Sequence, residues 1–421
     1  MKKIGITAIA TLITLGLWTV LVFVGVSEGW DKSPIATTAS PVSFVEAAQE
    51  IVESEHVGNL SFVLIENGEV SGEFNFSSGD TVDGRSVYQV ASLGKWLTAW
   101  GVMSLVDDGS IDLDAPISDY VTRWALPTSE FNTDGVTVRR LLSHMAGLDD
   151  GLGYDGFDDQ ADVQTLEASL SQALDASPGN SGVVKLGHEP GSQWQYSGGG
   201  YTLLQLLIEE VSGQSFSAFM SERIFVPLGM ERTTFDHQEA LALGLAANFD
   251  LVGQTEPFKW YTALAATSLF TTASDLAVFI QAQGPNGGQS VLSEESIALI
   301  GTPHARQFGA DIWGLGVILY TPNDHGQFIL GHDGSNGPAI NTAARLDPNT
   351  GDGIVVLETG SSFLASQLAS EWVFWKTGRV DNILFAARID AMLMLIAIGG
   401  PFILLGGVIV GWRWQLKPSS T

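Results

Sequence analysis

A chain of 421 residues has room for one large domain or two smaller ones. Its 19 Lys and Arg stand against 47 Asp and Glu, a formal charge of -28, and such a surface repels phosphate backbones and argues against a nucleic-acid partner. The absence of cysteine excludes disulfides, zinc–thiolate sites and thiol catalysis, and the seven histidines show no ligand spacing, so neither a metal nor any other cofactor is expected.

The elements follow in chain order. Behind Lys2 and Lys3, residues Ile4 to Val26 are almost uninterruptedly apolar. Such a run exceeds the roughly 7–15 residues of a signal-peptide core and reaches the roughly 20 needed to span a bilayer. Residues 1–30 are therefore read as an uncleaved anchor, and 31–42, rich in Ser, Thr, Ala and Pro, as a linker. Ser43 is expected to cap a helix whose apolar face is Phe44, Ala47, Ala48 and Ile51. Leu60–Ile65 and Val70–Phe76 flank Asn67-Gly68, a strong hairpin signal. The run Ser92-Leu93-Gly94-Lys95-Trp96-Leu97 opens a helix that is apolar nearly all round and so should lie buried between layers. From Arg139 to about Gln283 the text is mostly helix and loop, with Leu203–Val211 a clear helix ending near Gly213. Asp149–Asp159, rich in Gly and Asp, reads as a mobile, solvated loop. Strands return at 314–320, 327–330, 341–346 and 353–358, and a helix over Ser362–Trp375 follows. Ala391–Trp412 is a second apolar run, with a bend expected at Gly399-Gly400-Pro401. Gly407-x-x-x-Gly411 is read as small-residue filler rather than a packing motif. Lys2 and Lys3 place the N-terminus inside, so two spans return residues 413–421 to the cytoplasm and leave the middle outside.

The chemistry starts at Ser92 and Lys95. A spacing of three puts both side chains on one helix face, roughly 5–6 Å apart at Cβ. A serine hydroxyl needs a base to become a nucleophile. A lysine desolvated by Leu93, Trp96 and Leu97 can lose its proton and serve as that base. Tyr196-Ser197-Gly198 lies about 100 residues further on, and His332-Asp333-Gly334 closes a strand-like run.

Ser-x-x-Lys, a tyrosine element and a Lys/His-x-Gly element, in that order, resemble the serine β-lactamases and penicillin-binding proteins. The class C β-lactamase-like hydrolases and esterases are the branch most similar. Val106-Asp107-Asp108-Gly109, Leu113-Asp114-Ala115-Pro116, Leu141 to Leu148, Pro190-Gly191 through Tyr201 and Pro227-Leu228-Gly229-Met230 carry the same resemblance, which runs from about Phe44 to Trp375. It implies an α/β (α+β) fold over 43–380: an antiparallel sheet flanked by helices, with an inserted all-helical subdomain at about 139–283 and one transmembrane helix at each end. It also implies an acyl-enzyme on Ser92, a proton relay through Lys95 and Tyr196, and an oxyanion hole at the backbone N–H groups of Ser92 and Ser335. A lysine ammonium near the phenol would lower its pKa, so either residue can be the base. Gly334 would let substrate approach the strand edge, His332 and Gly198 would contact substrate, and His144 would be structural.

Two departures bear on specificity. Gly198 stands where β-lactamases carry an asparagine, and His332 where penicillin-recognising enzymes carry a lysine. With an ordinary pKa near 6.5, His332 is largely neutral at pH 7 and a poor partner for a carboxylate. The expected substrates are small acyl esters or amides, with a cell-wall peptide or β-lactam as the alternative. The expected location is the bacterial cytoplasmic membrane, bound to the lipid bilayer, with the catalytic domain outside. A penicillin sensor would need a cytoplasmic output domain where this sequence has a short tail. An inactive scaffold would not need Ser92, Lys95 and Tyr196 together. The oligomeric state is not legible in the sequence.

Overall fold

A computed structural model describes residues 2–416 apart from Leu152 and Asn286. The described residues form two compact units, one of residues 35–372 and one of residues 2–34 with 373–416.

The larger unit is built on an eight-stranded sheet. Its strands are β1 (Leu60–Glu66), β2 (Glu69–Phe76), β3 (Ala305–Gln307), β4 (Ala310–Trp313), β5 (Ile318–Pro322), β6 (Phe328–Asn336), β7 (Ile340–Leu346) and β8 (Gly353–Thr359). Their spatial order is β2-β1-β8-β7-β6-β5-β4-β3, and every neighbouring pair is antiparallel. The N-terminal hairpin thus joins the sheet against the last strand, β8, closing a fold whose sheet comes from both ends of the unit. β7 and β8 are buried along their whole length, as strands covered on both faces must be. Helix Pro41–Glu55 packs on β1 and β2, with Phe44 against Phe62 at 6.5 Å between ring centroids. Helix Ala273–Gln281 packs on β1, β7 and β8. The segment between the two sets of strands supplies helices that include Val138–Leu142, Gly198–Ser212 and Phe216–Met220.

Several sequence expectations shift. The first of these helices starts at Pro41 rather than being capped by Ser43, because proline's fixed φ and missing N–H suit a first helical turn. The expected strand 314–320 begins only at Ile318, in β5, because residues 314–317 form the turn after β4, where Gly316 has φ +78°. β6 does not stop at Leu330: its pairing with β7 continues through Ser335↔Asn341 to Asn336↔Ile340, so His332-Asp333-Gly334 lies inside the strand. Asp149–Asp159 is not simply solvated, since Asp150 and Tyr154 are buried by contacts with the Gly198 helix.

In the smaller unit, helices Lys2–Ser27 and Ile389–Leu416 run antiparallel, Gly399 against Trp18 and Gly407 against Thr11. Gly407 is therefore a packing position, where added atoms would fall 2.2 Å from the Thr11 hydroxyl. The second helix continues through Pro401, the site of the expected bend. Each helix holds a stretch long and apolar enough to cross a membrane, Lys3–Ser27 of 25 residues and Ile389–Gln415 of 27. Residues 417–421 of the expected tail lie outside the described residues.

Candidate active site

The backbone bends sharply just before the proposed nucleophile. Ala91 has φ +48°, a left-handed conformation that costs a side-chain-bearing residue on the order of 1–3 kcal/mol. Its neighbour Val90 is pinned on both sides: its N–H donates to the Leu269 carbonyl at 2.9 Å, and its carbonyl accepts from Thr342 Oγ1 at 2.8 Å. Ser92 then sits in a short turn, Ala91–Leu93, that leads into helix Gly94–Asp107. At such a helix start an N–H has no acceptor within the helix. Gly94 lets the helix approach Leu269, whose Cβ would lie 2.9 Å from a side chain there.

Lys95 is one turn further on. Its Nζ lies 3.0 Å from Ser92 Oγ and also donates to the Ala266 carbonyl. The rings of Tyr196 and Tyr201 stand 5.1 and 5.4 Å from the same nitrogen. Only 2% of the residue is exposed. Burial drives the pKa of its ammonium down to about 7, opposed only in part by the negative charge of Asp150. The Tyr196 phenol hydrogen-bonds Ser92, yet burial raises its pKa above the ordinary value. A lysine charge beside a phenol would acidify it. Burial wins instead.

Tyr196 is held by the helix that follows it. Ser197 caps helix Gly198–Ser212, its Oγ accepting from Gly200 N–H at 2.8 Å and donating to the buried Asp150 carboxylate. Asp150 also accepts the Gly199 N–H, an acceptor placed where the helix dipole favours negative charge. His144, at φ +56°, accepts the Ser197 N–H on Nδ1 at 3.1 Å, and its ring lies 4.3 Å from that of Tyr196. That contact holds the backbone just after Tyr196.

The third element enters through β6. Beyond Gly331 this strand pairs only with β7, and its other edge packs on the Ala91–Leu93 turn. A Cβ on Gly334 would fall 2.1 Å from the Val90 carbonyl, so this glycine lets the strand reach the nucleophile turn. His332 is buried beside Trp313, with Nδ1–H donating to the Asp333 carbonyl at 2.6 Å. Burial and the neighbouring Lys95 charge push its pKa down to about 3, leaving it neutral. Arg345 pairs with Asp333 and lies over the Tyr320 ring, which fixes the strand from its other side.

A cleft of about 190 Å³ opens at Ser92, lined also by Lys95, Tyr154, Gly198, Thr267, Ser335 and Asn336. Of the site residues read from sequence it gathers Ser92, Lys95, Gly198 and Ser335, with Tyr196 bonded to the serine. It does not bring His332 or Gly334 to its surface. Tyr154 and Asp150 are not legible in the sequence because a loop carries no periodicity to show which side chains turn inward, and Asn336 is not because the expected strand ends at Leu330, short of it. Among the described residues no group of three or more His, Cys, Asp or Glu could hold a metal ion.

The β-lactamase family model matches residues 44–370. The chain belongs to the β-lactamase family. Penicillin-binding protein 4 of Amycolatopsis lactamdurans is 28% identical to it over 326 residues, 72% of this chain and 81% of that protein. The octameric penicillin-binding protein homologue from Pyrococcus abyssi is similar in structure with a TM-score of 0.68 at 26% identity, over 81% of this chain and 78% of that one. The β-lactamase/D-alanine carboxypeptidase from Yersinia pestis, complexed with citrate, shares the fold with a TM-score of 0.62 at 19% identity, over 80% and 98% of the two chains. This β-lactamase-family chain is a serine hydrolase of the penicillin-binding-protein-like kind.

Proposed function

We propose that this hydrolase turns over small ester or amide substrates through an acyl-enzyme on Ser92, with Lys95 as the general base. The observation that carries this reading is the buried Lys95 amine, 3.0 Å from Ser92 Oγ and half deprotonated near neutral pH. Neutral Lys95 takes the Oγ proton as the Oγ–carbon bond forms and the carbonyl electron pair moves onto oxygen. Backbone N–H groups of Ser92 and Ser335 receive that oxyanion; both residues line the one cleft. The tetrahedral species collapses, the leaving group departs with the proton returned from Lys95 through Tyr196, and water releases the acid by the reverse path. Tyr196 serves as the relay because its phenol stays protonated.

Among the described residues the cleft has no exposed cation to meet a substrate carboxylate. Lys95 is its one charged lining residue, and His332 is neutral and buried. That supports esters and amides without a fixed carboxylate. A second reading, a D,D-peptidase or β-lactamase acting on peptidoglycan or its mimics, is favoured by the names of the relatives above. In both readings the catalytic domain, about 43–380 behind a linker at 31–42, is held outside the bacterial cytoplasmic membrane by the two terminal helices. Ile6, Leu12, Phe402 and Val408 turn apolar surface outward on those helices, as lipid-facing residues do.

Whole-protein mass spectrometry after exposure to a fluorophosphonate, a panel of esters and a panel of β-lactams tests the reading. A fluorophosphonate adduct on Ser92 with rapid ester turnover is expected. No adduct on Ser92 from any probe would overturn it, and stable acylation by β-lactams alone would favour the second reading.

A further inference from the structure

Gly198 lacks a side chain for a reason of space, not of backbone. It is the first residue of helix Gly198–Ser212 and has no left-handed φ, so any residue could adopt its conformation. The space beside it is taken. A Cβ there would lie 2.9 Å from Cε2 of Tyr154, with Cδ2 at 3.5 Å and Cζ at 3.7 Å. That ring is not free to swing away. Its hydroxyl bonds Thr202 Oγ1 at 2.9 Å, one turn along the same helix, its backbone pairs with Ala176, and the residue is 6% exposed.

We propose that Tyr154 is a specificity-determining residue: its ring fills the position from which a side chain at 198 would reach the substrate, and it gives the acyl side of the cleft an aromatic wall. This rests on the acyl-enzyme reading above. The ring's one polar group is spent on Thr202. Among the described residues the one side-chain amide lining the cleft has both its N–H groups engaged: Asn336 Nδ2 donates to Tyr261 OH at 2.9 Å and Thr267 Oγ1 at 3.1 Å, and its Oδ1 accepts the Gly337 N–H at 2.9 Å. An acylamino group set against this wall gives up hydrogen bonds to water and recovers none from the ring or from the Asn336 N–H groups. The cleft has room for about six water-sized groups, and the side of it formed by the ring suits a short apolar acyl chain better. The substrate class is therefore an ester or amide whose acyl carbon carries an apolar substituent and no acylamino group.

Two measurements test this. The first is kcat/KM for p-nitrophenyl butyrate against the p-nitrophenyl esters of N-acetyl-D- and N-acetyl-L-alanine. Wild type is expected to prefer the butyrate, and Tyr154→Ala to shrink that preference by at least ~10-fold. Tyr154→Phe, which keeps the ring, should hold the ratio within about threefold. An unchanged ratio in Tyr154→Ala, or a wild type that prefers the acylamino esters, overturns the proposal. The second measurement needs no activity and stands apart from the acyl-enzyme reading. Gly198→Asn should lower Tm by ~3 °C or more, and Tyr154→Ala in the same chain should recover most of the loss that Gly198→Asn adds. Additive losses, or a Gly198→Asn protein as stable as wild type, show that the ring does not occupy that space and sink the idea even if Ser92 is confirmed.

Discussion

Helices Gly94–Asp107 and Ile389–Leu416 are both apolar nearly all round, yet they answer that composition in opposite ways. Every residue from Gly94 to Leu105 is buried by protein, with Trp96 and Trp100 each edge-on to Phe279 at 5.0 Å. On the terminal helix Leu393, Met394, Phe402 and Val408 are all more than half exposed, and only one side meets a partner. A helix without a polar face belongs either in a core or in a bilayer, and its own pattern does not say which. Charge separates them. The terminal helix has no ionisable residue between Asp390 and Arg413, whereas the internal one buries Lys95. A buried ammonium weakens a fold, which fits the catalytic role proposed for Lys95.

The largest effect should come from the serine that opens the internal helix. Ser92→Ala is expected to cut kcat for a short p-nitrophenyl ester by at least ~10⁴-fold while the fold survives. Turnover within tenfold of wild type, in protein with an unchanged circular dichroism spectrum, would remove Ser92 from the mechanism. Lys95→Ala and Tyr196→Phe should each cost more than ~10²-fold in kcat/KM, and the double variant little more than the worse single one. Fully multiplicative losses would show two separate proton paths.

The pH dependence of Lys95 sharpens the contrast between the helices. Because only neutral Lys95 is a base, kcat/KM should rise about tenfold per pH unit and level off near an apparent pKa of 7. A profile flat from pH 5 to 9 would exclude this base. Stability carries the same signature. The folded pKa, about 7, lies below the ordinary 10.5. Below pH 7 both folded and unfolded states hold the proton, and the full cost of a buried charge is present. Between pH 7 and 10.5 the folded state sheds it first, and the cost fades. Lys95→Met, which makes the internal helix as apolar as the terminal one, should thus raise Tm most at pH 5 to 6 and least near pH 10, while abolishing activity. An equal change at every pH would contradict this.

Substrate preference should shift less. Wild type is expected to favour a p-nitrophenyl ester over nitrocefin by roughly one to two decades in kcat/KM, the worth of one missing charge-assisted hydrogen bond. Equal rates would hand the site to the β-lactamase or peptidase reading. The smallest effect tests the terminal helices. The chain has no native cysteine, so Thr11→Cys with Gly407→Cys should cross-link on mild oxidation in membranes. Thr11→Cys with Gly411→Cys should not, since nothing lies within 4 Å of a Cβ at Gly411. Equal cross-linking of both pairs would break the antiparallel register.

The sequence alone determined the order of the three chemical elements, the two apolar ends, the hairpin at Asn67-Gly68 and the helix that stops at Gly213, because each is written in local spacing or turn chemistry. Tertiary structure decided what spacing does not encode. Burial, which sums over the whole core, lowered the pKa of Lys95, raised that of Tyr196 and left His332 neutral and out of the cleft. Backbone contact from Val90, more than 200 residues away in sequence, explains Gly334. A ring from a loop without periodicity explains Gly198. Local pattern sets which side chains share a face; only packing between distant segments sets how much water and how much room each of them keeps.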